Sequence, residues 1–158
     1  MSAAKPGAER SITVNRKARH EYHLDQEIEA GLVLMGTEVK ALRMGRASLS
    51  DGWVSLERGE AWLEGVHIPE YLSGSWTNHS PRRKRKLLLH KDEIKKLEQR
   101  TREKGVTVVP LRLYFSGSRA KVTIAVAHGK REWDKRQELR RRQDDMEARK
   151  AMRHRANL

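Results

Sequence analysis

The sequence predicts a mainly β protein, a small antiparallel barrel that carries a basic C-terminal tail, and three observations lead there. Short apolar runs separated by turn residues recur along most of the chain. Only two segments before residue 129 carry helical spacing, and residues 129–158 are densely charged with no continuous apolar stripe.

Taken in order, residues 1–10 are mostly small and charged residues with Pro and Gly, show no periodicity and read as a disordered start, with order from near Ser11. Strands are expected over Ile12–Val14, about Arg19–Leu24 with Tyr22 and Leu24 on one face, Leu32–Met35, Trp53–Glu57, Ala61–Ile68 and Lys86–Leu89. Arg58-Gly59 suits a tight hairpin turn. The clearest pair comes late: Val109, Leu111, Leu113 and Phe115 alternate with polar or edge residues, as do Val122, Ile124 and Val126, with Ser116-Gly117-Ser118 as their turn. Pro110 cannot donate a ladder hydrogen bond and belongs at an edge or bulge. Helices are expected over His90–Arg102, where Ile94 and Leu97 share a face, acids open the segment and bases close it before Gly105, and over Thr37–Arg43 before Gly45. Many short strands with few helices fit a small OB-type barrel over residues 11–128, a common nucleic-acid scaffold.

Residues 129–158 hold 11 Lys or Arg against six acids. Trp133, Leu139, Met146 and Met152 are too sparse to bury a core, so the tail should be largely disordered when free. Local helix terms are favourable, since Glu132–Arg136, Glu138–Arg142 and Asp145–Arg149 are acid-before-base pairs at i,i+4, each worth about 0.2–0.5 kcal/mol. Composition leaves two readings open, a solvated charged helix and an arm that folds on a phosphate-rich partner.

The whole chain, 158 residues with 34 Lys plus Arg against 21 Asp plus Glu, has a net charge of +13. That balance points to nucleic acid or another anionic surface. There is no cysteine, hence no disulfide framework or thiol nucleophile, and no apolar run approaches a membrane span, so a cytoplasmic protein is expected. No P-loop, GxSxG or dinucleotide fingerprint is present, no cofactor or metal site is expected, and the residual enzymatic alternative is a small nuclease using His20 with Glu21 or Glu38.

Two constellations suit RNA. Arg82-Arg83-Lys84-Arg85-Lys86 is five consecutive bases, for which phosphate contact is favoured over a merely solvated loop. Asn15-Arg16-Lys17-Ala18-Arg19-His20 mixes amide, guanidinium, ammonium and imidazole groups suited to base edges, ribose hydroxyls and phosphates.

Five ordered blocks carry a resemblance: Asn15 to Tyr22, Glu29 to Leu34, Gly36 to Arg43, Arg85 to His90, and Gly129-Lys130-Arg131 followed by Asp134-Lys135-Arg136. Through them the chain, from about Asn15 to Arg155, resembles the SsrA-binding protein (small protein B) family. The resemblance implies a six-stranded OB-like barrel with about three helices and a non-enzymatic role. Its body would bind the tRNA-like domain of transfer-messenger RNA, and its tail would fold as a helix in the decoding centre and empty mRNA channel of a stalled ribosome. Alanyl-tRNA synthetase and elongation factor Tu would be met through the RNA, and a monomer is the expected state. Carried over, the RNA-binding residues are Asn15, Lys17, Arg19, Glu29, Lys40, Leu88 and His90, to which the two basic constellations add His20, Arg85 and Lys86. Without the resemblance, Leu88 would read as barrel core and Glu29 as a solvated turn acid. In the tail, Gly129, Lys130 and Arg131 resemble a hinge and anchor, and Asp134, Lys135 and Arg136 a decoding-centre motif. Trp133 stands where relatives often have Tyr or His and is a candidate for stacking on a ribosomal base, and Arg131 stands where Lys is usual. The alternative is a general OB-type RNA chaperone or ribosomal protein.

Overall fold

The structure, a computed structural model, describes residues 9–69 and 80–157. Its elements are β1 (Glu9–Val14), α1 (Arg16–Glu21), β2 (Tyr22–Leu32), α2 (Gly36–Arg43), β3 (Trp53–Glu57), β4 (Glu60–Glu64), β5 (Arg85–Leu88), α3 (Lys91–Thr101), β6 (Val106–Ser116), β7 (Arg119–Gly129) and α4 (Lys130–Ala156).

One antiparallel sheet runs in the order β1-β6-β7-β2-β5-β4-β3. Among the described residues there are seven strands, against about six expected, and four helices, against about three. The sheet is not closed by a ladder: β3 curls back to pack against β6 without pairing to it. The enclosed core joins Leu63, Leu87, Leu113, Val122, Ile124 and Val126 to Leu42 of α2 and to Ile94 and Leu97 of α3. The two helices expected from periodicity are therefore present, and each buries its apolar stripe.

The expected alternation of β6 is broken by a bulge between Pro110 and Arg112. Leu113 and Phe115 face the main core, whereas Val109 and Leu111 turn to a second cluster with Ala18, Ala125 and Ala127. One extra residue re-aims every side chain before it. Pro110 thus stands at a bulge, as its missing N–H requires.

Four expected boundaries are corrected. Glu9 and Arg10, expected in the disordered start, already belong to β1, Glu9 pairing with Ser116 of β6, while residues 1–8 lie outside the described residues. Arg19 is not in a strand: Asn15 caps a short helix, its side-chain oxygen accepting from the Ala18 N–H, and this local bond wins over extension. Leu32 ends β2 rather than starting a strand to Met35, because α2 begins at Gly36. The Ala61–Ile68 run stops at Glu64, where Gly65 takes a positive φ of 73°. The tail is a continuous helix, α4, reaching about 40 Å at 1.5 Å per residue. From Glu138 to Asn157 it is exposed on all sides, so local terms alone hold that part together.

Candidate RNA interface

The residues expected to touch RNA fall into separate groups. Glu29 and Gly31 lie on β2, with Leu88 at the end of β5 directly opposite Gly31. A Cβ on Gly31 would come within 3.1 Å of Leu88 Cβ, so a larger residue there would push Leu88 from this seat by a few tenths of an ångström. Leu88 stands 56% exposed, an apolar ridge between two concavities of about 460 Å³ each. Glu29, Lys86 and His90 line one of them; Gly31, Arg119 and Lys121 line the other. Leu88 is therefore not a core residue, and the alternation of β5 turns it outward.

Glu29 is held rather than loose. It accepts a hydrogen bond from the Lys121 ammonium at 2.6 Å and another from the Tyr114 hydroxyl. Lys121 first, and Tyr114 second, hold its carboxyl below the usual range. Burial, reinforced by Glu29, pushes the Tyr114 phenol up to about 12, so it remains a donor. Tyr114 and Lys121 face each other across β6 and β7 and were missed in the sequence, where nothing links them to residue 29. His90 is exposed ahead of α3, its backbone N–H donating to Glu93 at 3.0 Å, and Lys40 is exposed on α2.

Lys17, Arg19 and His20 are exposed on α1, at the Tyr22 end of β2. Nine residues along that strand, roughly 30 Å at about 3.3 Å per residue, separate them from the Leu88 ridge. Asn15 does not join them. It is 4% exposed, and its amide donates to the Pro110 carbonyl at 2.9 Å and the Leu49 carbonyl at 3.2 Å. In this structure its amide serves to fix α1 on the sheet.

The five-base run is not a free cationic loop. Arg85 is fully buried, donating to Glu38 of α2 and to the carbonyls of Val66 at 2.8 Å and Pro81 at 3.0 Å. Burial pushes the Glu38 carboxyl up, but the hydrogen bonds from Arg83, the Met35 amide and Arg85 outweigh it and leave the group below its usual range. Arg83 also pairs with Glu38, Lys84 with Glu57 at 2.7 Å, Lys86 with Glu60 at 3.4 Å and Arg82 with Asp51 at 3.5 Å. Every base of the run meets an acid. Glu38 is consumed in this network and is no catalytic base.

Gly129 closes β7 opposite Tyr22 and leads directly into α4. The Trp133 ring stacks on His23 of β2, centroids 4.0 Å apart and planes 11° apart, with His128 tilted against it at 4.8 Å. Arg136 pairs with Glu103 at 2.9 Å, while Lys130, Arg131, Asp134 and Lys135 are exposed. His128 is buried; burial and then the Arg100 charge hold its imidazole below the usual value. Asp25 pairs with Arg100 at 2.8 Å, and that bond lowers its carboxyl. His23, His128, Asp25 and Arg100 form a root for the arm that the sequence did not disclose, because β2, α3 and β7, which carry them, are distant in the chain.

A curled antiparallel sheet with an apolar ridge, a pinned carboxylate and an exposed cationic helix defines a basic protein of the RNA-binding class. The family profile described as SmpB protein matches residues 12–154. An SsrA-binding protein of Nocardioides sp. is 62% identical over 149 residues, covering 94% of each chain. That of Streptomyces coelicolor is 61% identical over 145 residues, covering 92% of this chain and 91% of its own. A solved structure described as "tmRNA-SmpB: a journey to the center of the bacterial ribosome" superposes with a TM-score of 0.65 at 46% identity, covering 75% of this chain and 83% of that one. The chain belongs to the SmpB, or SsrA-binding protein, family. Among the described residues no helix is long and apolar enough to cross a membrane.

Proposed function

We propose that this chain binds transfer-messenger RNA and delivers it to stalled ribosomes in trans-translation, in the cytoplasm and as a monomer. The exposed Leu88 ridge, seated on Gly31 beside the pinned Glu29, carries this reading. An apolar wedge flanked by a fixed acceptor and cations suits a structured RNA surface, where it packs on ribose or base while Glu29 accepts from amino or 2′-hydroxyl groups. Glu29, Lys86, Leu88, His90 and Lys121 form the body's contact with the tRNA-like domain, and Lys40 extends it. The curled sheet is read as an OB-like barrel. Alanyl-tRNA synthetase and elongation factor Tu are met through the RNA, and the protein itself performs no chemistry.

The arm has a separate task. Beyond Glu138 α4 has no tertiary support, so it samples disordered states when free and folds against RNA in the decoding centre and empty mRNA channel. Asp134, Lys135 and Arg136 act at its root and the later cations along the channel. Deleting residues 130–158 is expected to leave affinity for transfer-messenger RNA nearly intact while abolishing tagging on stalled ribosomes; Leu88→Asp is expected to weaken RNA binding itself. Equal affinity of the intact protein for transfer-messenger RNA and bulk tRNA at moderate salt would overturn the assignment in favour of a general RNA chaperone.

A further inference from the structure

Two side chains of the arm are already engaged by the body of the free protein. The Trp133 indole lies flat on His23 of β2, centroids 4.0 Å apart, and His128 of β7 leans on it at 4.8 Å. Nearly one helical turn further along α4, Arg136 donates to the Glu103 carboxylate at 2.9 Å and to the Lys104 carbonyl at 3.3 Å, both in the turn between α3 and β6. Asp134 and Lys135, between them, stand exposed. The root is thus pinned at two separate points of the body.

Neither point is built to be permanent. Trp133 joins neither apolar core cluster and borders an open concavity of about 340 Å³ beside Arg19, Tyr22 and Lys130. The Arg136–Glu103 pair is exposed, and such pairs contribute little to stability. Gly129, at the joint of β7 and α4, has a φ of −56° and a ψ of 130°, which any residue can adopt. A Cβ on it would meet nothing within 4 Å. The docked root therefore needs no glycine at the joint, and the extra freedom of glycine matters only when the joint takes other angles.

We infer that the root is an autoinhibitory latch: His23 and Glu103 hold Trp133 and Arg136 against the body of the free protein, and the arm swings out about Gly129 when ribosomal RNA takes both groups over. This rests on the proposed reading of the arm as the ribosome-facing element. A ring face stacked on His23 is closed to a base, and a guanidinium shared between a carboxylate and a carbonyl has to leave them before it serves elsewhere. The apparent affinity of the arm is then reduced by the fraction of molecules whose root is open. Weakening the body's half of the contact raises that affinity, whereas weakening the arm's half lowers it.

The test uses the full-length chain and its His23→Ala, His23→Phe and Trp133→Ala variants. Two quantities are measured: hydrogen exchange of the free protein at the amides of residues 134–138, and affinity for purified small subunits. His23→Ala is expected to raise exchange about two- to tenfold and to raise small-subunit affinity by up to the same factor. Trp133→Ala is expected to raise exchange alike but to lower small-subunit affinity at least about fivefold, the low end for one base–aromatic stack. His23→Phe keeps a stacking ring and should stay within about twofold of the parent in both measurements. Unchanged exchange in His23→Ala would show that no latch exists. Raised exchange with unchanged small-subunit affinity would show that the contact inhibits nothing, and lowered affinity would make the stack a platform for RNA; each result overturns the inference. Thermal melting checks that the variants fold, and His23→Leu, which keeps bulk without a ring, replaces His23→Ala if that variant does not. Failure of the parent protein to prefer transfer-messenger RNA to bulk tRNA would refute the functional reading instead, while exchange still reads the latch, so the two failures are separated.

Discussion

Arg82–Lys86 and α4 are both rich in bases, yet the fold treats them in opposite ways. In the first, Glu38 arrives from α2, Asp51 from the turn before β3, and Glu57 and Glu60 from the β3–β4 hairpin, and each base finds a carboxylate. In the second, only Arg136 and Arg142 pair with carboxylates among the described residues, and every side chain from Glu138 to Asn157 is exposed. A run of charge in a sequence is thus no measure of the field it presents. What counts is whether opposite charges from remote segments are folded against it.

The largest expected effect tests the buried end of that contrast. Arg85→Ala leaves the Glu38 carboxylate buried with much of its partnership gone, and loss of one member of a buried pair costs about 3–5 kcal/mol. Arg140→Ala in the exposed arm should change stability by no more than about 0.5 kcal/mol. Urea unfolding of the two variants measures the difference. Replacing Arg85 and Glu38 together by leucine should recover much of the loss, because no unpaired charge remains. A mild effect of Arg85→Ala would mean that the two segments are alike after all.

A second, intermediate effect concerns salt. Arg140, Arg141 and Arg142 changed together to glutamine should flatten the log–log salt dependence of small-subunit binding by about 0.7–0.9 for each phosphate contact removed. The same treatment of Lys84 and Lys86 should flatten it far less, since Glu57 and Glu60 already balance them and freed acids repel phosphate. Equal slopes for the two sets would break the contrast.

Features written in local spacing were legible in the chain: the α3 stripe of Ile94 and Leu97, the Arg58-Gly59 hairpin and the two long strands around Gly117. So was the place of Leu88, through resemblance rather than pattern. What could not be read depends on pairing at a distance. Asn15 looked like a surface amide because its partners, the carbonyls of Leu49 and Pro110, lie 34 and 95 residues away. Arg85 looked like a phosphate ligand because Glu38 lies 47 residues away. The β6 bulge was hidden because alternation continues on both sides of it with only the facing exchanged. Helix α1 was missed although Asn15 is a good cap, since the six residues after it carry one buried side chain and no periodicity.

The smallest effect lies where the contrasted regimes meet, at the root of α4. Trp133 stacks on His23 and leans on His128, an arrangement worth about 0.5–1.5 kcal/mol beyond simple burial. Trp133→Ala should therefore raise hydrogen exchange at the amides of residues 134–138 by about two- to tenfold, with little change in the sheet, and Trp133→Phe should fall between. The root should also respond to acid. Because His128 is held below its ordinary value of 6.5, the unfolded chain binds its proton more readily. Its contribution is complete above that value and is lost as pH falls through the lower folded-state value. Asp25 partly opposes this, and the charges of Arg100, His23 and Arg136 reinforce it. After correction for intrinsic rates, protection of the root should decline towards acid pH in the parent and less in His128→Phe, while exchange beyond Leu139 stays fast throughout. A root as unprotected as the distal helix at neutral pH would show that the stack does not hold, and that the arm is free from Lys130 onward.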